Sequence, residues 1–199
     1  MVPLQTLEKN MVTKNSIRKE KLILRGQIPE EERNKMSLAI KNQVLLLPCI
    51  QNAEVVLCYA GYQSEVATCE LIEDLSSLGK KIYLPRVCGD EMEFYRIRGL
   101  KDLTAGYKGI PEPAAACTEI YGSEYDSAVV MIMPGCAFAP DGSRAGYGKG
   151  YYDRYLEKHD IVERVALCFS VQMAESIPTD SYDKKASILI TEQGVIYCS

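Results

Sequence analysis

From residue 55 onward the chain alternates short apolar runs with stretches of helical period, and few folds accommodate that alternation. Residues 55–60 read as a buried strand, 65–78 as an amphipathic helix closed by Gly79, and 81–85 as the next strand. A strand is expected over 92–97, a Gly/Pro loop over 106–113, and the most apolar strand over 128–133. A long glycine-punctuated loop, 135–148, leads into a helix over 150–158, and strands follow at 164–169, 188–191 and 195–197. Upstream, 4–26 is basic and helix-compatible, and a second helix starts near Pro29 and stops at Pro48. Strands separated by helices predict an α/β fold: a three-layer α/β/α domain with a mainly parallel sheet and helices on both faces. The expectation is one domain over 1–199, with N-terminal helices at about 4–47 and an α/β core at about 53–199.

A chain of 199 residues, 47% apolar and 25% charged, buries roughly 70% of its unfolded surface and needs no covalent staple. The eight cysteines carry no C-x-x-C spacing and most sit inside apolar runs such as Val55-Val-Leu-Cys58-Tyr, where Cys acts as a small hydrophobe. With a single histidine, His159, a Cys/His zinc site is not expected; placed near a helix end, His159 reads as a structural cation. No apolar stretch reaches membrane-spanning length and the N-terminus has no signal-like apolar region, so a reduced, cytoplasmic protein is expected. A net charge of −4 argues against nucleic acid or an anionic membrane as the main partner.

The chemistry concentrates in residues 133–156, which leave the end of a buried strand, pass through a glycine-rich loop and enter a helix. In open α/β sheets, ligands bind beyond the carboxyl ends of strands. Gly146, Gly148 and Gly150 let backbone approach an anion, the helix start offers unpaired N–H groups, and Arg144 and Lys149 add positive charge. The spacing is neither a dinucleotide fingerprint nor a Walker A loop. Glycines serving turns alone would not need flanking Arg and Lys, so phosphate binding is the favoured reading. Asp153 reads equally as a first-turn acid stabilised by the helix dipole or as an oxygen ligand for Mg²⁺.

The run Gly142-Ser-Arg144-Ala-Gly146-Tyr-Gly148-Lys149-Gly150-Tyr151-Tyr152-Asp153 resembles the signature of the 5-formyltetrahydrofolate cyclo-ligase family, roughly G-x-R-L-G-x-G-[GK]-G-Y-Y-D. The resemblance extends along most of the chain: Lys14 and Arg18 in the first helix, Glu65-Val-Ala67-Thr after the first strand, the segment 79–85, Gly109-Ile-Pro-Glu-Pro113 and 188–191. It implies ATP-phosphate contacts at Lys14 and Arg18, and a nucleotide loop of Arg144, Gly146, Tyr147, Gly148, Lys149, Gly150, Tyr151 and Tyr152. Tyr147 to Tyr151 also face the folate in this reading, with Glu65 holding it and Ala60 lining its pocket. Asp153 and Asp183 are the implied Mg²⁺ ligands, and Arg144 and Lys149 the catalytic cations. Taken alone, Lys14 and Arg18 at i and i+4 read as a solvated helix face, Glu65 as a helix-start acid and Asp183 as a surface acid. Ala145 stands where the family has Leu, Ala139 follows Phe138 where it often has Asp, and Ala67 replaces an acid.

The implied reaction is cyclisation of 5-formyltetrahydrofolate to 5,10-methenyltetrahydrofolate, with ATP as co-substrate and Mg²⁺ as cofactor. A folate- or nucleotide-binding module that has lost turnover, and an ATP-dependent kinase or ligase acting on another small acceptor, are the alternatives. Retention of Lys149 and Asp153 speaks against the first.

Overall fold

The computed structural model describes residues 13–122 and 128–198. Helix α1 (Lys14–Gln27) is opened by Thr13, whose hydroxyl oxygen accepts from the Ser16 N–H while the Ser16 hydroxyl accepts from the Thr13 N–H. This reciprocal cap satisfies two donors that would otherwise be orphaned. The expected helix began at residue 4; residues 4–12 lie outside the described residues. Helix α2 (Glu30–Leu46) follows Pro29 and carries Glu30, Glu31 and Glu32 in its first turn. Pro48 ends α2 as expected and also opens a short helix, α3 (Pro48–Asn52), because proline at the first helical position loses no hydrogen bond.

Strand β1 (Val55–Leu57) is three residues long and completely buried. Helix α4 (Cys69–Ser77) starts four residues later than its apolar period predicts. The reason lies in the segment before it. The Tyr62 N–H donates to Glu65 Oε2, the Gly61 N–H donates to Thr68 Oγ1, and the Thr68 hydroxyl donates to the Tyr59 carbonyl, all holding 59–68 as a tight loop. Strands β2 (Lys81–Cys88) and β3 (Glu91–Ile97) form a hairpin longer than expected, and β4 (Leu103–Ala105) pairs with β5 (Pro111–Pro113) inside the expected Gly/Pro loop. Strand β6 (Val129–Met133) is buried throughout. The expected loop 135–148 contains a small hairpin, β7 (Ala137–Phe138) with β8 (Arg144–Ala145), before α5 (Tyr151–Lys158). Strands β9 (Glu163–Leu167), β10 (Ile188–Thr191) and β11 (Gly194–Tyr197) complete the chain.

The main sheet has seven strands in the order β11-β10-β9-β6-β1-β2-β3. Its five inner strands are parallel, with Val56 opposite both Ile82 and Val130, while β3 and β11 close the two edges antiparallel. Alternate residues of the strands feed opposite faces. On one face Val56, Val130, Ile132 and Val165 pack with Ile40 and Val44 of α2 and Leu71 and Leu75 of α4. On the other, Leu57, Met131 and Leu189 pack with Tyr155 and Leu156 of α5. Each of these side chains contributes roughly 1.5–3 kcal/mol by leaving water. The result is a three-layer α/β/α arrangement. Helix α1 stands apart, seated on the β7–β8 hairpin through Ile17, Ala137, Ala139 and Ala145.

Candidate active site

The chain runs outward from β1 through β2 to β3, then returns to the other side of β1 and runs outward again through β6, β9 and β10. Order therefore reverses between β1 and β6, the place where open parallel sheets bind ligands. A cleft of about 640 Å³ opens there, reached by Ala60 beyond β1 and Pro134 beyond β6. That volume lies within the usual range of roughly 300–1,000 Å³ for small-molecule sites. Every site residue expected from the sequence lines it: Lys14, Arg18, Ala60, Glu65, Arg144, the segment 146–153 and Asp183.

The glycine loop forms one wall. Gly148 adopts φ +89°, a conformation that L side chains rarely hold, and the loop passes into α5 through Gly150. Arg144 is anchored beneath it, buried to 6% exposure, with one Nη donating to Asp153 Oδ1 at 2.8 Å. Its Nε is buried without a hydrogen-bond partner, an orphaned donor of the kind that marks a missing ligand or water. Lys149 is exposed at the rim and its Nζ makes no bond among the described residues.

Helix α1 forms the second wall. Lys14 Nζ pairs with Asp183 Oδ2 at 2.5 Å, and Arg18 Nε donates to the Gly146 carbonyl at 2.5 Å. A second Arg18 donor binds the Asn15 side chain. The two cations that resemble a solvated helix face in isolation thus turn inward, Lys14 to Asp183 and Arg18 to the glycine loop. Arg25, seven residues beyond Arg18, continues the same face. It is buried and donates to Ser64 Oγ, the Gly135 carbonyl and Tyr147 Oη.

The third wall is Glu65 with its surroundings. Its Oε2 accepts from the Tyr62 N–H at 3.0 Å and its Oε1 accepts from the Tyr147 hydroxyl at 2.5 Å. Burial, followed by the Glu65 charge, pushes the phenols of Tyr59 and Tyr152 well above their ordinary pKa. Both stay neutral across the physiological range and present apolar rings with protonated hydroxyls. The Arg144 guanidinium lies 5.6 Å from the Tyr152 ring centre, within cation–π range.

Two carboxylates complete the cleft. Asp153 Oδ1 accepts from both Arg144 and the Lys184 N–H, and Asp183 Oδ2 accepts from both Lys14 and the Asp180 N–H. In each case the second carboxylate oxygen makes no bond among the described residues. Burial alone would raise the Asp183 pKa, but the Lys14 hydrogen bond and charge and the Asp180 N–H outweigh it and hold the group below its ordinary value. Among the described residues no group of three or more Asp, Glu, His or Cys side chains could hold a metal ion. Two carboxylates with free oxygens beside a glycine loop flanked by Arg144 and Lys149 do fit Mg²⁺, which takes one or two carboxylates and completes its shell with phosphate and water.

The departures from the family pattern fall into place. Ala145 and Ala139 are buried under Ile17, where small side chains let α1 approach the hairpin. Asp141 binds the Ser143 N–H and hydroxyl and Lys185, away from the cleft. Ala67 is exposed, its N–H donating to Ser37 Oγ. His159 lies outside the cleft, its ring stacked on Tyr155 at 4.2 Å. Sequence reading missed Arg25, which a seven-residue step from Arg18 could have exposed, and gave no role to Glu112 of the Gly109–Pro113 element. Glu112 lines the cleft at 7% exposure, and burial raises its pKa.

Comparison with known proteins bears on this geometry. A 5-formyltetrahydrofolate cyclo-ligase of Saccharomyces cerevisiae is 30% identical over 188 residues, covering 81% of this chain and 86% of that protein. The 5-formyltetrahydrofolate cyclo-ligase of Mus musculus is 29% identical over 172 residues, covering 81% and 85%. The solved structure of a 5,10-methenyltetrahydrofolate synthetase from Aquifex aeolicus superposes with a TM-score of 0.81 at 32% identity, covering 92% of each chain. Residues 10–192 match the sequence pattern of the 5-formyltetrahydrofolate cyclo-ligase family, and the chain belongs to that family.

Proposed function

We propose that this chain closes 5-formyltetrahydrofolate to 5,10-methenyltetrahydrofolate, consuming ATP and releasing ADP and phosphate. The observation that carries the reading is a single cleft with a phosphate-type loop on one side and the Glu65–Tyr147 pair on the other. A formamide oxygen is a poor leaving group and must be activated. The formyl oxygen attacks the γ-phosphorus, ADP leaves, and the substrate's second nitrogen adds to the formyl carbon. That nitrogen gives up its proton, and phosphate departs carrying the original oxygen. Phosphoryl transfer needs positioning and charge neutralisation more than covalent help. Lys14, Arg18, Arg144 and Lys149 supply the charge, and the loop from Gly146 to Tyr152 supplies the cradle. Ala60, Glu65 and the segment from Tyr147 to Tyr151 hold the folate so that its formyl group faces the loop. Asp153 and Asp183 would hold Mg²⁺, which when bound neutralises phosphate charge and orients the transferred group. The free thiols of all eight cysteines accord with a reducing compartment such as the cytoplasm.

The test is to mix the protein with 5-formyltetrahydrofolate, ATP and Mg²⁺ and follow methenyl-folate absorbance. Formation that requires all three supports the reading. A folded protein that binds folate or ATP without turnover sinks it in favour of a binding module, and folate-independent ATP consumption points to another acceptor.

A further inference from the structure

Arg25 is buried at 3% exposure behind the cleft, bonded to the cleft-lining Tyr147, yet it forms no ion pair among the described residues. A buried charge normally meets a counter-ion. Here it does so through one intermediary. Arg25 Nη2 donates to Tyr147 Oη at 2.9 Å, and the Tyr147 hydroxyl donates to Glu65 Oε1 at 2.5 Å. Guanidinium can only donate and an ionised carboxylate can only accept, so the phenol between them has one orientation available. With Oε2 fixed by the Tyr62 N–H, both Glu65 oxygens are held in place, and each has a further lone pair to offer.

We propose that Arg25 is a positioning residue for the folate, holding Tyr147 so that the Glu65 carboxylate is presented to N–H groups of the reduced pterin. The proposal rests on the reading of Glu65 and Tyr147 as folate-side residues. Burial of the hydroxyl, then the Glu65 charge, raises the Tyr147 pKa against the pull of Arg25, so the phenol keeps its proton and its donor role. The rest of the Tyr147 ring is half exposed and does not pin the hydroxyl by packing. The Arg25 guanidinium, 5.9 Å from the ring centre, and its bonds to Ser64 and Gly135 supply the rigid support instead.

The experiment is calorimetric titration of 5-formyltetrahydrofolate, and separately of ATP, into the full chain and four variants: Arg25→Met, Arg25→Lys, Tyr147→Phe, and Arg25→Met with Tyr147→Phe. Arg25→Met and Tyr147→Phe are each expected to weaken folate binding about 10-fold, as for loss of one charge-assisted bond, while ATP affinity stays within about 2-fold, because Tyr147 serves the nucleotide cradle through its backbone, which Phe retains, and its hydroxyl is engaged by Arg25 and Glu65. The double variant should be no weaker than the worse single variant, because both break one chain, and Arg25→Lys should recover part of the loss. Equal weakening of folate and ATP, or losses that multiply in the double variant, would overturn the proposal. Should Arg25→Met fail to fold, Tyr147→Phe, altered at an exposed ring, still decides: unchanged folate affinity there sinks it. A wild-type chain that binds ATP but no 5-formyltetrahydrofolate removes the underlying folate reading, a result separable from any variant effect.

Discussion

At the scale of single residues, charge decides. Lys149 is a loop cation whose Nζ has no partner among the described residues, so on the proposed reading its replacement removes a phosphate contact without stranding another group. Lys149→Ala is expected to lower kcat/KM by about 10- to 150-fold, the equivalent of roughly 1.5–3 kcal/mol, with little change in melting temperature. Asp153 is different, because it neutralises the buried Arg144. Asp153→Ala should cost about 3 kcal/mol and lower the melting temperature by roughly 6–12 °C in thermal denaturation. Asp153→Asn keeps an oxygen for the Arg144 bond and should instead show its effect as a higher Mg²⁺ requirement for turnover. The cations and glycines of the loop were legible because their spacing is local. Arg25 was not, since its role depends on Ser64, Gly135 and Tyr147, which only the fold brings to it.

At the scale of elements, the β7–β8 hairpin shows what a pattern of apolar runs leaves out. Two-residue strands carry too little periodicity to be read, so 135–148 looks like loop. Its turn is fixed by Gly142, at φ +82°, where an added Cβ would lie 2.2 Å from the Ala186 carbonyl oxygen. Gly142→Ala therefore combines strain with a backbone clash, and we expect a loss of about 2 kcal/mol or more in denaturant unfolding. Asp141, in the same turn, has its pKa lowered to about 2, first by the Lys185 hydrogen bond and then by Ser143, against desolvation. Its stabilising effect is full above the unfolded value of 3.8 and is lost as pH falls through the folded value. Because both partners are about half exposed, the contribution is under about 1 kcal/mol. Asp141→Asn should accordingly narrow its stability gap to wild type as unfolding is measured from about pH 5 down to about pH 2. The start of α4 was misplaced for a related reason: Glu65 and Thr68 fit a helix by pattern, but their side chains bind the backbone of the preceding loop.

At the scale of the whole molecule, the parallel sheet was the most legible feature, because the buried strands are written as uninterrupted apolar runs such as 129–133. Strand order is not carried by such runs, and it is the reversal between β1 and β6 that places the cleft. Helix α1 then ties that cleft to both ends of the chain: Lys14 meets Asp183, Arg18 meets Gly146 and Arg25 meets Gly135. Contacts this distant in sequence form only after the intervening chain has been synthesised. On the ribosome, the helix that emerges early must wait, with Ile17 uncovered, until its hairpin seat and Asp183 follow. Pulse-labelled hydrogen exchange during refolding should find the amides of β1 and β6 protected before those of α1. A helix made before its seat would be the part that completes the cleft, and no nascent chain shorter than residue 183 could carry all three of these contacts from α1.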